Sequence, residues 1–242
     1  MSTIDDIEND RALNFTNLVE LDDALLTDCT YLDLGNCASL NENQYQYTIA
    51  HLNIHSIPGK YSDLQDLLDD LQSKHLLPDI LLLCETFLND KNHDKFHFQS
   101  YNMISEYRKS KSKGGVSILI RDQLKYTIRE DLRIYDEGKF ESVFIELSRK
   151  NKENVVVGEI YRVPGTSETE FLDRYEELLN KIRSERKKII IGTDQNLDYL
   201  KINTHTNTRK FFELNLLNNL VPTISKPTRI THNTATLIDN IY

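Results

Sequence analysis

Six polar residues stand at or near the ends of apolar runs, where side chains can do chemistry on a rigid base. Asn53 follows Thr48-Ile49-Ala50-His51-Leu52, and Glu85 follows Ile80-Leu81-Leu82-Leu83-Cys84. Tyr161 follows Val155-Val156-Val157-Gly158-Glu159-Ile160; Asp194 and Asn196 follow Ile189-Ile190-Ile191-Gly192-Thr193. Asp239 sits inside Leu237-Ile238-Asp239-Asn240-Ile241. Carboxylates and amides without thiols or imidazoles suit a hard, oxygen-seeking cation such as Mg²⁺. Each residue alone has a plainer use, because an acidic residue at a strand end more often forms a turn or caps a helix. Asp194-Gln195-Asn196 by itself reads as an Asx turn. Asp239 fits that use least, since an unpaired carboxylate in an apolar strand is costly to bury. Other common sites are missing: the sequence has no Walker-type glycine loop, no G-x-G-x-x-G, no H-E-x-x-H and no G-x-S-x-G. Its cysteines and histidines show no zinc spacing.

The elements that position these residues are legible from patterning. Tyr47–Ile54, Ile80–Cys84, Val116–Ile120, Tyr126–Leu132, Phe140–Leu147, Val155–Tyr161, Ile189–Ile191 and Thr236–Tyr242 read as strands. Ser62-Asp63-Leu64-Gln65 and Ser167-Glu168-Thr169-Glu170 are capping-box signatures that open helices, and a third helix is expected near Thr208–Leu217. Strands outnumber helices, and several are apolar on both faces. That pattern predicts an α/β sandwich of two sheets flanked by helices.

Composition sets the limits. The 242 residues carry a net charge of −9. Residues 1–45 hold ten acidic side chains and one basic, whereas 46–242 are balanced at 28 of each. The first segment is expected to be a mostly disordered, solvated leader, and 46–242 the folded domain. An electrically even domain can still present a basic face to a phosphate backbone. No apolar stretch approaches the ~20 residues a bilayer span needs, and the acidic N-terminus lacks a secretory pattern, so the sequon at Asn14 has no expected use. Cys29, Cys37 and Cys84, an odd number with no C-x-x-C, read as reduced thiols of an intracellular protein. The cluster Arg108, Lys109, Lys111 and Lys113 has two readings, a contact to a nucleic-acid backbone or a solvated loop; the second is favoured.

Taken in order, the motifs carry a resemblance. Leu52-Asn53-Ile54, Glu85-Thr86-Phe87-Leu88, Gly114-Gly115-Val116, Ile160-Tyr161-Arg162-Val163-Pro164, Asp194-Gln195-Asn196-Leu197-Asp198, Pro227-Thr228-Arg229-Ile230-Thr231 and Leu237-Ile238-Asp239-Asn240-Ile241 resemble the endonuclease/exonuclease/phosphatase superfamily. More narrowly, they resemble the apurinic-endonuclease-like domain of non-LTR retrotransposons. The resemblance spans about Tyr47 to Tyr242, and the Pro-Thr-Arg-Ile-Thr segment followed by Leu-Ile-Asp points to the retroelement branch.

The resemblance implies a four-layer α/β sandwich and Mg²⁺-dependent hydrolysis of DNA phosphodiesters, with Mn²⁺ as an alternative metal. It implies that Glu85 binds the metal with Asn53 beside it. Asp194 would orient or deprotonate the attacking water, held by Asn196, which also faces the scissile phosphate. Tyr161 would hydrogen-bond a phosphate oxygen, Asp239 would orient a histidine, and Arg162 and Arg229 would contact substrate. Partners implied are DNA, in the nucleus, and a reverse transcriptase domain encoded downstream. Three departures stand out. Thr193 intervenes in the usual Gly-Asp-x-Asn, although the Asp-x-Asn spacing is kept, and Phe87 stands where many members carry Trp. The family's terminal Ser-Asp-His has no counterpart in the 242 residues, which implies a missing final strand and a marginally stable chain that associates through the exposed edge and nicks poorly or not at all. His55 and His232, beside matched motifs, read as surface or groove residues. Two other readings stay open: a phosphatase acting on inositol phosphates or related phosphodiesters, and a catalytically dead remnant that keeps the fold and binds DNA.

Overall fold

The computed structural model describes residues 29–31, 47–109, 113–150 and 152–242. Apart from 29–31, the expected leader lies outside the described residues. Of that short piece, the Tyr31 hydroxyl donates to the Pro227 carbonyl at 2.8 Å, and the Lys226 ammonium lies 5.0 Å from the Tyr31 ring centre.

Two sheets follow from the apolar runs. The first contains β1 (Ile49–Asn53), β2 (Ile80–Cys84), β3 (Tyr101–Glu106) and β4 (Val116–Arg121) in the order β1-β2-β4-β3. The second contains β5 (Tyr126–Ile128), β6 (Tyr135–Asp136), β7 (Phe140–Leu147), β8 (Val155–Arg162), β9 (Lys188–Asp194) and β12 (Asp239–Ile241). Its order is β12-β9-β8-β7-β5, with β6 added on β7. A separate two-stranded ribbon pairs β10 (Arg229–Ile230) with β11 (Ala235–Thr236). Among the described strands only β1–β2 and β8–β9 are parallel. Parallel neighbours need a long crossover, and these are supplied by α1 (Ile57–Ser73) and α2 (Glu168–Ser184).

Side-chain alternation then builds four layers. Ile57, Leu64 and Leu68 of α1 pack on Leu81, Leu83 and Leu119 from one face of the first sheet. The other face, with Leu82, Cys84 and Ile118, meets Val143, Ile145 and Val157 of the second sheet. The far side of that sheet, including Phe144 and Val156, is covered by Phe171 and Tyr175 of α2 and Phe211 of α3 (Thr206–Leu217). The expected helix–sheet–sheet–helix sandwich is the observed fold.

Several local expectations need correction. Helix α1 starts at Ile57 and not at Ser62: Ser56 Oγ accepts from the Gly59 N–H at 3.0 Å, and Pro58 sits in the first turn, where its missing N–H costs nothing. Strand β3 and the β10–β11 ribbon carry no apolar run and were not expected. The stretch from Tyr126 splits into β5 and a 3₁₀ turn at Glu130–Leu132, and the last strand is confined to Asp239–Ile241. Among the described residues, no helix is long and apolar enough to cross a membrane.

Candidate active site

Strand direction brings the polar residues to one edge. Parallel pairing sets Asn53 beside Cys84, and Glu85 follows directly; in the second sheet it sets Tyr161 beside Asp194. Strand β12 runs antiparallel to β9, so its first residue, Asp239, also faces Asp194.

Asn53 joins the two sheets. Its Nδ2 donates to Glu85 Oε1 at 3.0 Å and to Asp194 Oδ2 at 2.9 Å. The Tyr161 hydroxyl donates to Glu85 Oε1 at 3.4 Å. Asp239 Oδ2 accepts from the Thr228 hydroxyl at 2.6 Å. Asp194 Oδ1 and Asp239 Oδ1 are buried without a hydrogen-bond partner. Burial, reinforced by the charges of Asp239 and Glu85, pushes the Asp194 pKa up to about 8, against His51 and the Asn53 hydrogen bond. Partnerless carboxylate oxygens beside further oxygen donors fit a hard divalent cation, and Glu85 and Asn53 are the groups that would hold one, with Asp194 next to them. Cys84, Asp194 and Asp239 also present ligand atoms within 4.8 Å of one another.

The backbone here is strained. Glu85, Phe87 and Asn196 have φ of 51°, 55° and 49°, a left-handed conformation that costs of order 1–3 kcal/mol for such residues. The Glu85 turn is held on both sides. Its carbonyl accepts from the Ser56 N–H at 2.8 Å and that of Thr86 accepts from Ile57 at 2.9 Å. The N–H groups of Thr86 and Phe87 donate to Gly115 and Gly114 at 3.2 and 2.8 Å.

Three site expectations change in detail. Asn196 does not hold Asp194: its Nδ2 donates to the Arg162 carbonyl at 2.8 Å, and Asn53 is the residue bonded to Asp194. Arg162 is not turned toward solvent. It is 3% exposed, and its guanidinium donates to the Gln195 and Asn196 carbonyls at 2.7 Å each, bracing the loop after Asp194. Arg229 is exposed on β10, next to Thr228.

Some residues of the site escaped the sequence reading. His51 Nε2 lies 3.0 Å from Glu159 Oε1, both side chains almost fully buried, directly inside Asn53 and Tyr161. Burial works against the His51 cation, but Glu159, with Asp239 and Asp194 behind it, raises its pKa to about 9. Gly192 makes room for the pair: a Cβ there would fall 2.4 Å from Glu159 Oε2 and 3.1 Å from His51 Cδ2. The signal was available, because period-two alternation puts His51 on the face of Asn53 and Glu159 on that of Tyr161. His55, expected as a surface or groove residue, is exposed at the rim with Nε2 3.9 Å from Glu85 Oε2, and packs on Phe87 at 5.2 Å between ring centres. Arg108, expected in a solvated loop, is 6% exposed and ion-paired with Glu141. Lys111 lies outside the described residues.

A model of the endonuclease/exonuclease/phosphatase family matches residues 50–242, most of the chain. The chain belongs to this family. Its members are nucleases and phosphatases, so the chain is a phosphoester hydrolase by family. Solved structures agree on the fold of this endonuclease/exonuclease/phosphatase domain. The endonuclease domain of TRAS1, a telomere-specific non-LTR retrotransposon, is 13% identical with a TM-score of 0.59, over 81% of this chain and 84% of that one. The AP endonuclease LMAP from Leishmania major is 13% identical with a TM-score of 0.62, over 90% of this chain and 84% of that one. The 3′ phosphatase NExo from Neisseria, bound to a product DNA hairpin, is 15% identical with a TM-score of 0.51, over 81% and 85%. A comparison with curated protein sequences finds no match.

Proposed function

We propose that this chain is a Mg²⁺-dependent DNA endonuclease that nicks target DNA for retrotransposition, acting in the nucleus with a reverse transcriptase encoded downstream. One observation carries the hydrolytic part: a single amide, Asn53, ties the carboxylates of Glu85 and Asp194 together from opposite sheets at 3.0 and 2.9 Å. Glu85 and Asn53 would hold the cation, which would supply positive charge to the phosphate undergoing hydrolysis. Mn²⁺ fits the same oxygen donors. Asp194 orients a water in line with the leaving 3′ oxygen and takes its proton; in the metal-free site burial and the Asp239 charge raise its pKa, which favours proton uptake. The Tyr161 hydroxyl, which lies 3.4 Å from Glu85 Oε1, would turn its one proton from that carboxylate to a phosphate oxygen when substrate is bound. Asp239 and Thr228 close the far side of the site. The retroelement assignment rests on Pro227-Thr228-Arg229-Ile230-Thr231 preceding Leu237-Ile238-Asp239, with the fold of the TRAS1 endonuclease domain in support.

Supercoiled plasmid tests this reading. Nicked circles should accumulate, slowly, with Mg²⁺, and neither EDTA-treated protein nor Asp194→Ala should produce them. Phosphate release from inositol phosphates without nicking would move the assignment to a phosphatase. Plasmid binding with identical background in the parent and Asp194→Ala would leave a DNA-binding remnant and overturn the enzymatic reading.

A further inference from the structure

Arg108 and Glu141 are charged, buried and outside the metal-facing set. The Arg108 guanidinium pairs with Glu141 through Nε. It also occupies the space above Gly114, where a Cβ would fall 2.2 Å from Nη2. The other Glu141 oxygen accepts from the Gly115 N–H at 2.5 Å. Gly114 and Gly115 have φ of 91° and 87°, a backbone that L side chains rarely adopt. Their carbonyls are the ones that hold the N–H groups of Phe87 and Thr86, directly after Glu85. An unbroken series of contacts therefore runs from the Arg108–Glu141 pair to the turn that aims Glu85.

We propose that Arg108 and Glu141 form a buried clamp that acts through Gly114-Gly115 to hold Glu85 in its left-handed conformation, and so sets the affinity for the divalent cation. This rests on the reading of Glu85 as a metal ligand. Arg108 is a positioning residue, since its burial keeps it from reaching a phosphate. The clamp also crosses between sheets: Glu141 belongs to β7, whereas Arg108 and Gly115 lie between β3 and β4 of the other sheet. Glu141 faces Tyr161 as its Cα partner across β7–β8, and the Tyr161 hydroxyl donates to the Glu85 carboxylate. Neighbouring residues of two paired strands thus restrain Glu85 from its backbone and from its head group. A strained turn persists only where its surroundings over-determine it, and this is such an arrangement.

The test uses the 242-residue chain with Mn²⁺ as probe, free ion being counted by electron paramagnetic resonance, together with amide hydrogen exchange at Thr86 and Phe87. Arg108→Met and Glu141→Gln should each weaken Mn²⁺ binding about tenfold, as loss of a group supporting a ligand does. Exchange at Thr86 and Phe87 should quicken while that at Ile54, bonded to the Cys84 carbonyl outside the turn, stays unchanged. Arg108→Lys keeps the charge and should recover part of the affinity. If Arg108→Met fails to fold, Arg108→Lys carries the test: several-fold weaker binding and faster exchange at unchanged melting temperature support the clamp, and parental values overturn it. Parental affinity in Arg108→Met beside lost affinity in Glu85→Gln overturns the clamp alone. Parental affinity in Glu85→Gln overturns the metal reading and the clamp with it.

Discussion

Asp194 and Asp239 face each other as Cα partners across the β9–β12 ladder, and each carries one buried carboxylate oxygen without a partner. Burial and the neighbouring charges raise the Asp194 pKa from an ordinary carboxylate value to about 8. In the unfolded chain the group ionises near pH 4. Asp194 therefore penalises the metal-free fold progressively as pH rises from about 4 toward 8. Asp194→Asn should melt on the order of 5 °C above the parent at pH 8, with the gap closing by pH 4. Addition of Mg²⁺ should stabilise both proteins through Glu85 and Asn53, and the parent more at pH 8, where the cation also offsets the Asp194 charge. Calorimetry across that pH range checks both points, and a pH-independent gap would contradict them.

Asn53 donates one amide group to two carboxylates, so its removal acts on both. Asn53→Ala should weaken Mg²⁺ binding and lower nicking on the order of 10²-fold. Its hydrogen bond to Asp194 also favours the ionised form of that residue. Without it, the acid limb of the pH–rate profile should move upward. A profile that keeps its midpoint would count against Asp194 as the proton acceptor.

Arg162 separates positioning from metal binding. Arg162→Met orphans the Gln195 and Asn196 carbonyls, at a cost of about 1–3 kcal/mol, and frees the loop after Asp194. Nicking should fall on the order of tenfold with the Mg²⁺ half-saturation unchanged, because neither Glu85 nor Asn53 touches Arg162. A parallel loss of metal affinity would show that the loop supports the metal as well.

The His51–Glu159 pair is buried, so breaking it on one side strands a charge. His51→Leu or Glu159→Met alone should cost about 3–5 kcal/mol, whereas the double replacement should recover much of that loss. Denaturant unfolding of the three variants gives the cycle directly. Simple additivity would mean that the pair is not coupled.

Arg129 joins three parts of the chain, with Asp131 Oδ1 and Glu146 Oε2 at 2.8 Å and Glu185 Oε1 at 2.5 Å. Its hydrogen bonds hold the Asp131 and Glu185 carboxyls below their usual range. For Glu146, burial opposes the shift, but bonds from Lys187, Asn154 and Arg129 prevail. Folded-state pKa values that are depressed add stability above the unfolded values near pH 4, and that stability is lost as pH falls through the folded ones. Arg129→Leu should therefore melt a few degrees below the parent at pH 7, about 2–4 °C, with the difference shrinking toward pH 2. A gap that widened in acid would refute the network.

The sequence by itself determined which polar residues stand at the ends of the apolar runs or inside them, and hence that Asn53, Glu85, Tyr161, Asp194 and Asp239 were candidates. Short apolar runs broken by polar residues can be read locally, because period-two alternation and burial act within a few residues. The helices from Glu168 and near Thr206 were legible for the same reason, whereas a second cap at Ser56 and a proline at position 58 moved the start of α1. Tertiary structure decided what the candidates touch. Asn53 reaches Asp194 across 141 positions of sequence, and His51 reaches Glu159 across 108. Those pairings depend on which strands run parallel and on how two sheets stack, neither of which leaves a local signal. The same holds for Arg108 and Arg162. Both are basic residues that a sequence assigns to solvent or substrate, yet each is turned inward because a carboxylate or carbonyls from a distant segment meet it there. Exposure is a property of the packed layers, and only their assembly reveals which charges are enclosed.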